Sequence, residues 1–513
     1  MCAMRNAIPL CNLNRRNFLG LTAAFAAAQG LSGCVAARAA GLARGAARLR
    51  FGVVSDVHIS AAGVKSATCG DTTLVEKAFA YFRDKGADGV MIAGDMADWG
   101  LVEQLEQVGA AWRKVFPGNK GQNGKPVEKL FVYGNHDLGG FRYGYAKRYQ
   151  LPEEMFRADR LIATDRAAAW KKAFGEDFAP LRIKEVNGYK FVLCSELQYP
   201  GEGGDADFLE RHRAELEGAK PFFYTQHFHL RGTTCAPWTW GQDSGASTAA
   251  LAKFPNAVAF SGHSHTPLAD DRVIWQGAFT SVGTASLRYL VALGGRENSA
   301  VFGAKDPCTQ QMPNLDASDC QQGLFVTVYD DCITLERRDF ANDAPVGADW
   351  VVPLSFDGSL AFDRRAARAP VPEFAPGARV AVADVRGRTR AKVEKDQTVV
   401  TFPNVLNGVR AFDYEVTVEV VDVDVKKAWL VKRVYSRGFY RTAAKDESEA
   451  SCVFAKDELP KFYLAGWGKG KVLKGQANLQ YRFAVRPCNC WGAKGAPIHS
   501  DWISSPVLDI PNS

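Results

Sequence analysis

Gly89-Val90-Met91-Ile92-Ala93-Gly94-Asp95-Met96-Ala97-Asp98 decides how this chain reads: an apolar run stops at a glycine, and two carboxylates follow at once. A short apolar run of this kind is the length of a strand buried on both faces, so Asp95 and Asp98 fall on the loop beyond its end. The same succession recurs outward along the chain. Leu49–Ser55 precedes Asp56-Val57-His58, and Lys129–Tyr133 precedes Gly134-Asn135-His136-Asp137. Pro221–Thr225 precedes Gln226-His227-Phe228-His229, and Ala257–Ser261 precedes Gly262-His263-Ser264-His265. Six of the eight histidines lie in these loops, a concentration that core packing does not explain. Asp, Asn and His are the hard and borderline donors that suit divalent metals.

Between the strands the pattern turns helical. Thr72–Lys85 predicts a helix capped by Thr72 or Thr73 and stopped by Gly86. Asn187-Gly188, between Leu181–Val186 and Tyr189–Cys194, predicts a two-residue hairpin. Gly323–Asp330 and Cys332–Arg338 predict a second antiparallel pair. Residues 48–360 therefore read as one mixed α/β domain with its chemistry beyond the strand ends. Residues 361–378 are rich in Arg, Ala and Pro and read as a linker. Residues 379–513 read as an all-β sandwich, with strands at Thr398–Phe402, Phe412–Val421, Ala428–Val434 and Leu479–Arg486. Tyr481-Arg482-Phe483-Ala484-Val485-Arg486-Pro487 followed by Trp491-Gly492 resembles a late strand of a fibronectin type III-like module.

Residues 1–39 read as a targeting segment. Asn14-Arg15-Arg16-Asn17-Phe18-Leu19 resembles a twin-arginine export signal and leads into an Ala-rich run from Leu19 to Ala28. Two processing readings stand. Leu31-Ser32-Gly33-Cys34 resembles a bacterial lipobox, and Ala37-Arg38-Ala39 before Ala40 fits a simple signal peptidase. Both predict a periplasmic or otherwise extracytoplasmic protein; only the first gives it a membrane anchor, as a lipoprotein. Removing this segment removes four arginines and no acids, so the formal charge of +7 falls by four to about +3. That balance points to no nucleic-acid partner, and it sets no oligomeric state. The cysteines admit bridges Cys308–Cys320, Cys69–Cys235 and Cys452 with Cys488 or Cys490, with Cys194 as a free thiol.

The five loop motifs, in this order, resemble the calcineurin-like metallophosphoesterase superfamily, whose pattern is Asp-x-His, Gly-Asp-x-x-Asp, Gly-Asn-His-Asp/Glu, a lone His, and Gly-His-x-His. All five elements stand here without a substitution. The resemblance implies a four-layer α/β/β/α sandwich and two divalent or trivalent metal ions, drawn from manganese, iron and zinc. It implies that Asp56, His58 and His265 bind the first metal, that Asp95 bridges, and that Asn135, His227 and His263 bind the second. It further implies hydrolysis of a small-molecule phosphoester by a hydroxide bridging the metals. His136 is the implied proton donor or phosphoryl-oxygen stabiliser, and Asp98 the residue that orients it. The run through Gly100 is similar to the cyclic-nucleotide phosphodiesterase-like branch, so cyclic-nucleotide or glycerophosphodiester bonds are the expected substrates. A phosphomonoesterase, or a non-catalytic surface protein that binds through its sandwich, are the alternatives.

Substrate contacts are expected from Arg142, in the loop after the third motif, from Trp238, after the fourth, and from His229, where the family often has proline; the alternatives are loop packing for the first two and a loop cap for His229. Asp137 reads as a hydrogen-bonding turn residue rather than a ligand.

Overall fold

The computed structural model describes residues 45–508 apart from 61–70, 140–152, 196–204, 236–241, 293–314, 389–393, 406–407, 422–425, 437, 443–447, 460–461, 464–479 and 505–506. The export segment, Cys34, Cys69 and Cys308 lie outside the described residues.

Two sheets face each other across one apolar core. In the first, β1 (Leu49–Val54), β2 (Gly89–Ala93) and β3 (Glu128–Val132) run parallel. In the second, β4 (Leu181–Val186) and β5 (Tyr189–Cys194) form the expected hairpin. β6 (Phe222–Thr225), β7 (Ala257–Ser261) and β9 (Thr280–Gly283) extend it in parallel, and β8 (Ile274–Gln276) closes the edge antiparallel to β9. β10 (Leu290–Ala292) and β11 (Leu315–Ala317) make a short separate ribbon. The chain then returns to the first sheet, where β12 (Gln322–Val328) lies antiparallel to β1, followed by β13 (Cys332–Asp339), with β14 (Ala344–Pro345) and β15 (Trp350–Pro353) on its edge.

The parallel strands are continuous apolar runs because both of their faces are covered. Between the sheets the Phe51 ring meets Phe223 at 4.8 Å and Phe191 at 5.2 Å between centroids, edge to face. On the outer face of the first sheet lie α1 (Thr73–Asp84), α2 (Val102–Val115) and, beyond the short α3 (Asn135–Gly139), α4 (Arg166–Phe174); they bury Phe79, Phe82, Trp112 and Trp170. The closeness of α1 depends on Gly52, where a Cβ would come within 2.2 Å of the Phe82 ring. Behind the second sheet lie α5 (Asp205–Arg211) and α6 (Ala246–Leu251), packed through Leu209, Ala250 and Leu251. The result is helix, sheet, sheet, helix. At the start of α1 the expected Thr72 side chain caps no backbone amide and donates instead to Glu76 Oε1 at 3.0 Å, while Asp71 Oδ1 accepts the Thr73 amide at 2.9 Å.

The C-terminal region is a second pair of sheets. β16 (Ala381–Arg388), β17 (Glu394–Pro403) and β20 (Glu449–Ala455) form one; β18 (Asp413–Val421), β19 (Lys426–Tyr435) and Gln480–Cys488 form the core of the other. Phe402, Phe454, Tyr414 and Phe483 share the core between them. The segment expected as a linker carries a short helix at Phe362–Ala366, and Phe362 is buried with its ring 5.3 Å from Trp491. Tyr440 is buried in the inter-sheet core of the α/β domain, where its carbonyl accepts from Gln322 Nε2 at 3.2 Å. The Arg272 guanidinium lies 5.0 Å over the Phe412 ring.

The expected bridge from Cys452 is absent. Cys452 and Cys490 are both buried free thiols, and burial pushes Cys452 up to about 12, where it is inert. Cys235 and Cys320 are also free thiols.

Candidate metal centre

Each motif begins where its strand ends, and in the first, second and fifth the backbone there turns into the left-handed region. Among the described residues φ is +50° at Asp56, +45° at His58, +54° at Asp95, +68° at His263 and +53° at His265. Asp and His tolerate this region better than most residues, yet it is uncommon; five such residues converging on one place mark a functional site. The loops brace one another. The amides of Asp56 and His58 donate to the carbonyls of Gly94 and Asp95, both at 3.0 Å, and the Gly262 amide donates to the His227 carbonyl at 3.0 Å. Gly134 admits this crowding, since a Cβ there would lie 2.3 Å from Asp95 Oδ1 and 2.7 Å from the His227 ring.

The side chains gather in two separate sets, and a third, of His58, Asp98 and His136, overlaps the first at His58. Ligand atoms of Asp56, His58 and His265 lie within 4.8 Å of one another, as do those of Asp95, His227 and His263. Asp95 stands between them: its Oδ2 is 3.0 Å from His227 Nε2 and 3.9 Å from His58 Nε2, while its Oδ1 accepts the His136 amide at 2.8 Å. In the first set His265 Nε2 lies 3.0 Å from Asp56 Oδ1. The first set draws Asp56 and His58 from one sheet and His265 from the other. The second set likewise draws Asp95 from the first sheet and both histidines from the second.

The donor atoms fit metal ions. His227 Nδ1 is held by the Ala93 carbonyl at 2.8 Å and His265 Nδ1 by the Tyr289 carbonyl at 2.9 Å; His58 Nδ1 is held by Asp98 Oδ1 at 3.0 Å. An acceptor at Nδ1 fixes the proton there and leaves the lone pair on Nε2, the arrangement of a metal-ligating histidine. The Nε2 atoms of His58 and His265 then face each other at 3.3 Å, two lone pairs that repel unless a cation lies against both. Asn135 Oδ1 is buried with no hydrogen-bond partner, and His227 Nε2 is buried against the Asp95 carboxylate, whose Oδ2 is 3.0 Å away. An orphaned atom such as Asn135 Oδ1 carries a desolvation penalty that a metal removes. Without metal, protons serve instead. Burial alone would depress the His227 imidazole, but the adjacent Asp95 carboxylate overrides it and raises it to about 10. Burial would raise the Asp56 carboxyl, and the His265 imidazole beside it holds it well below the usual range.

His136 is the half-exposed member, 24% accessible, its ring 4.7 Å from that of His58. Its Nδ1 donates to the Asp98 backbone carbonyl at 2.9 Å. The expected role of Asp98 is thereby divided: its carbonyl holds His136 while its carboxylate bonds His58, lying 3.6 Å from His136 Nδ1. Asp137 is a turn residue, as expected, with Oδ1 accepting the Ala97 amide at 2.7 Å and Oδ2 the Gly134 amide at 2.8 Å. Burial first, and then the Asp95 charge, push its carboxyl up to about 7.

The expected substrate contact of His229 is corrected. It is 1% exposed, with Nε2 bonded to Ser264 Oγ at 2.6 Å and Nδ1 shared by Thr234 Oγ1 at 2.8 Å and Ser261 Oγ at 3.0 Å. A ring sealed in this way pins loops and touches no ligand. Arg142 and Trp238 lie outside the described residues. Two residues at the site were not anticipated: Tyr289, whose ring stands 4.3 Å from that of His265, and Gln242, whose Oε1 lies 2.6 Å from His263 Nε2. Tyr289 closely follows β9, whereas no spacing in the sequence singles out Gln242.

Residues 49–267 match the family model described as calcineurin-like phosphoesterase. No curated protein matches the chain in sequence. Among solved structures, a dimetal phosphatase from Danio rerio is 11% identical, with 60% of this chain and 100% of that one covered and a TM-score of 0.36. A purple acid phosphatase from yellow lupin (Lupinus luteus) seeds is 14% identical, with 61% of this chain and 55% of that one covered and a TM-score of 0.39. With its matched family and its donor set, the α/β domain is that of a metal-dependent phosphoester hydrolase.

Proposed function

We propose, from the calcineurin-like phosphoesterase domain at residues 49–267, that this chain is an exported dinuclear-metal phosphodiesterase acting on a small-molecule substrate. One observation carries the reading: two histidine–carboxylate sets, each with ligand atoms within 4.8 Å, with an Asp95 oxygen facing histidines of both. A metal pair bound there, of manganese, iron or zinc, supplies a Lewis-acid clamp for the phosphate and acidifies a water toward neutral pH.

The chain's own residues do the rest. Asp56, His58 and His265 hold one position and Asp95, Asn135, His227 and His263 the other, with the imidazole tautomers fixed by their acceptors. His136 keeps Nδ1–H on the Asp98 carbonyl and, as the acid, would donate from Nε2 to the leaving-group oxygen. The preference for diesters over monoesters rests on the likeness of Gly94 through Gly100 to the cyclic-nucleotide phosphodiesterase-like branch. Export rests on the twin arginines at Arg15 and Arg16, and attachment to a membrane on lipidation of Cys34. The β-sandwich is read as an accessory domain of fibronectin type III-like character.

The test is elemental analysis of natively exported protein, paired with turnover of a bis(aryl) phosphate and its monoester before and after chelation. About two metals per chain, with diester turnover lost on chelation and restored by metal, is the expected result. A protein that remains inert after metal reconstitution would overturn the catalytic reading, and a strong monoester preference the diester one. Retention of a twin-lysine variant at Arg15 and Arg16 in the cytoplasm would support export.

A further inference from the structure

His263 is held differently from the other three histidines of the centre. His58, His227 and His265 are each fixed at Nδ1, by Asp98, the Ala93 carbonyl and the Tyr289 carbonyl. His263 is instead fixed at Nε2, by Gln242 Oε1 at 2.6 Å. An amide oxygen only accepts, so the imidazole proton sits on Nε2 and the lone pair on Nδ1. That proton placement leaves Nδ1 as the nitrogen with the lone pair, in a ring that shares a donor set with Asp95 and His227. The Gln242 loop is anchored in turn. The next residue, Asp243, is 5% exposed, and its Oδ2 accepts the amides of Arg231 at 3.0 Å and Gly245 at 3.1 Å. Its Oδ1 receives Gln226 Nε2 at 3.4 Å, and Gln226 Oε1 accepts the Tyr224 hydroxyl at 2.7 Å. Gln226 directly precedes His227. One buried carboxylate thus fixes the loop that orients His263 to the loop that carries His227.

We propose that Gln242 is a positioning residue of the second metal site: it selects the His263 tautomer whose Nδ1 carries the lone pair, and Asp243 sets its place relative to His227. The proposal rests on the metal-centre reading above. Gln242 lies 21 residues before His263, outside every motif, and acts on the metal only through that ring. Loss of such an outer partner typically weakens metal binding about 10- to 100-fold. A neutral amide also leaves His263 a less basic ligand than a carboxylate partner would, which keeps the second metal more electrophilic and more readily lost than a carboxylate-backed one.

The experiment is equilibrium dialysis of the chelator-treated full chain against Co2+, with the visible spectrum recorded, for wild type, Gln242→Ala and Gln242→Glu. Two sites are expected in the wild type. Gln242→Ala should weaken one of them about 10- to 100-fold and leave the other unchanged. Gln242→Glu, which keeps an acceptor of the same reach, should bind at least as tightly as the wild type at that site. A purely structural role would not rank glutamate with glutamine, because it depends on shape rather than on the accepted proton. Two unchanged affinities in Gln242→Ala, or equal weakening by Ala and Glu, would overturn this proposal and leave the hydrolase reading intact. A wild type that takes up fewer than two Co2+ would instead overturn the dinuclear reading, and this proposal with it.

Discussion

His136 and Asp98 sit together, but they are expected to fail in different ways. His136 presents a partly exposed ring, belongs to neither of the two separate donor sets, and has its Nδ1 on the Asp98 carbonyl. His136→Ala is therefore expected to keep both metals and lose about 10²- to 10⁴-fold in kcat, the usual worth of a positioned acid. Asp98→Ala removes the carboxylate that fixes His58 but keeps the carbonyl that holds His136. Its expected signature is metal affinity down about 10- to 100-fold at one site, with much of kcat recovered at saturating metal. Metal titration alongside kcat separates the two; an Asp98→Ala protein with intact metal affinity would show that its carboxylate serves His136 after all. The sequence placed both residues at the centre because the motif fixes which strand end each follows. It did not show which atom of Asp98 does which task, since that depends on how adjacent loops cross.

At the scale of elements, the strands were legible because a run of Val, Ile, Phe and Met between glycines has no other place in a soluble domain than between two covering layers. The hairpin at Asn187-Gly188 was legible for a similar reason: Asn187 and Gly188 adopt φ of +49° and +73°, values their short or absent side chains allow. The role of His229 was not legible: strand character through Thr225 favours His227, the first histidine off the strand, as the ligand, but carries no record of what a second histidine two residues on will touch. Its buried ring bonds Ser261 and Ser264, on either side of the turn after β7, and so ties the β6 loop to the turn carrying His263. That has a pH consequence. Burial lowers the His229 imidazole from 6.5 to about 4. The folded state then binds fewer protons than the unfolded chain between these values. Its contribution is full above pH 6.5 and is lost as pH falls toward 4, by roughly 3 kcal/mol. Urea unfolding of wild type and His229→Gln at pH 7 and pH 4.5 should show the larger loss in the wild type. Equal losses would place the sensitivity elsewhere.

At the scale of the molecule, the sandwich is joined to the α/β domain more firmly than a tethered accessory would be. Tyr440 is buried in the inter-sheet core, the Thr442 hydroxyl donates to Asp339 Oδ2 at 2.8 Å, and Arg272, 2% exposed, lies under Phe412. Tyr440→Ala should therefore cost about 3 kcal/mol, the order expected for deleting a buried aromatic ring, seen as a lower urea midpoint for the α/β domain. An unchanged midpoint would mean the domains are independent. The sequence marked residues 361–378 as a linker from composition alone, and composition carries no record of Phe362 finding Trp491 across the joint. The cysteines misled for a related reason: their number invites bridges, whereas Cys452 and Cys490 are spent as small apolar residues inside packed cores.

Both donor sets take residues from each of the two facing sheets, β1 and β2 on one side, β6 and β7 on the other. Any ion bound there is consequently a cross-link between two half-cores that otherwise adhere through apolar contact and a few hydrogen bonds such as that from His227 Nδ1 to the Ala93 carbonyl. Binding to the folded state alone adds RT ln(1 + [M]/Kd), about 4 kcal/mol at a thousandfold excess over Kd. The temperature at which this protein unfolds should then track the free metal around it, so that a melting curve reads out how well its surroundings supply the ion.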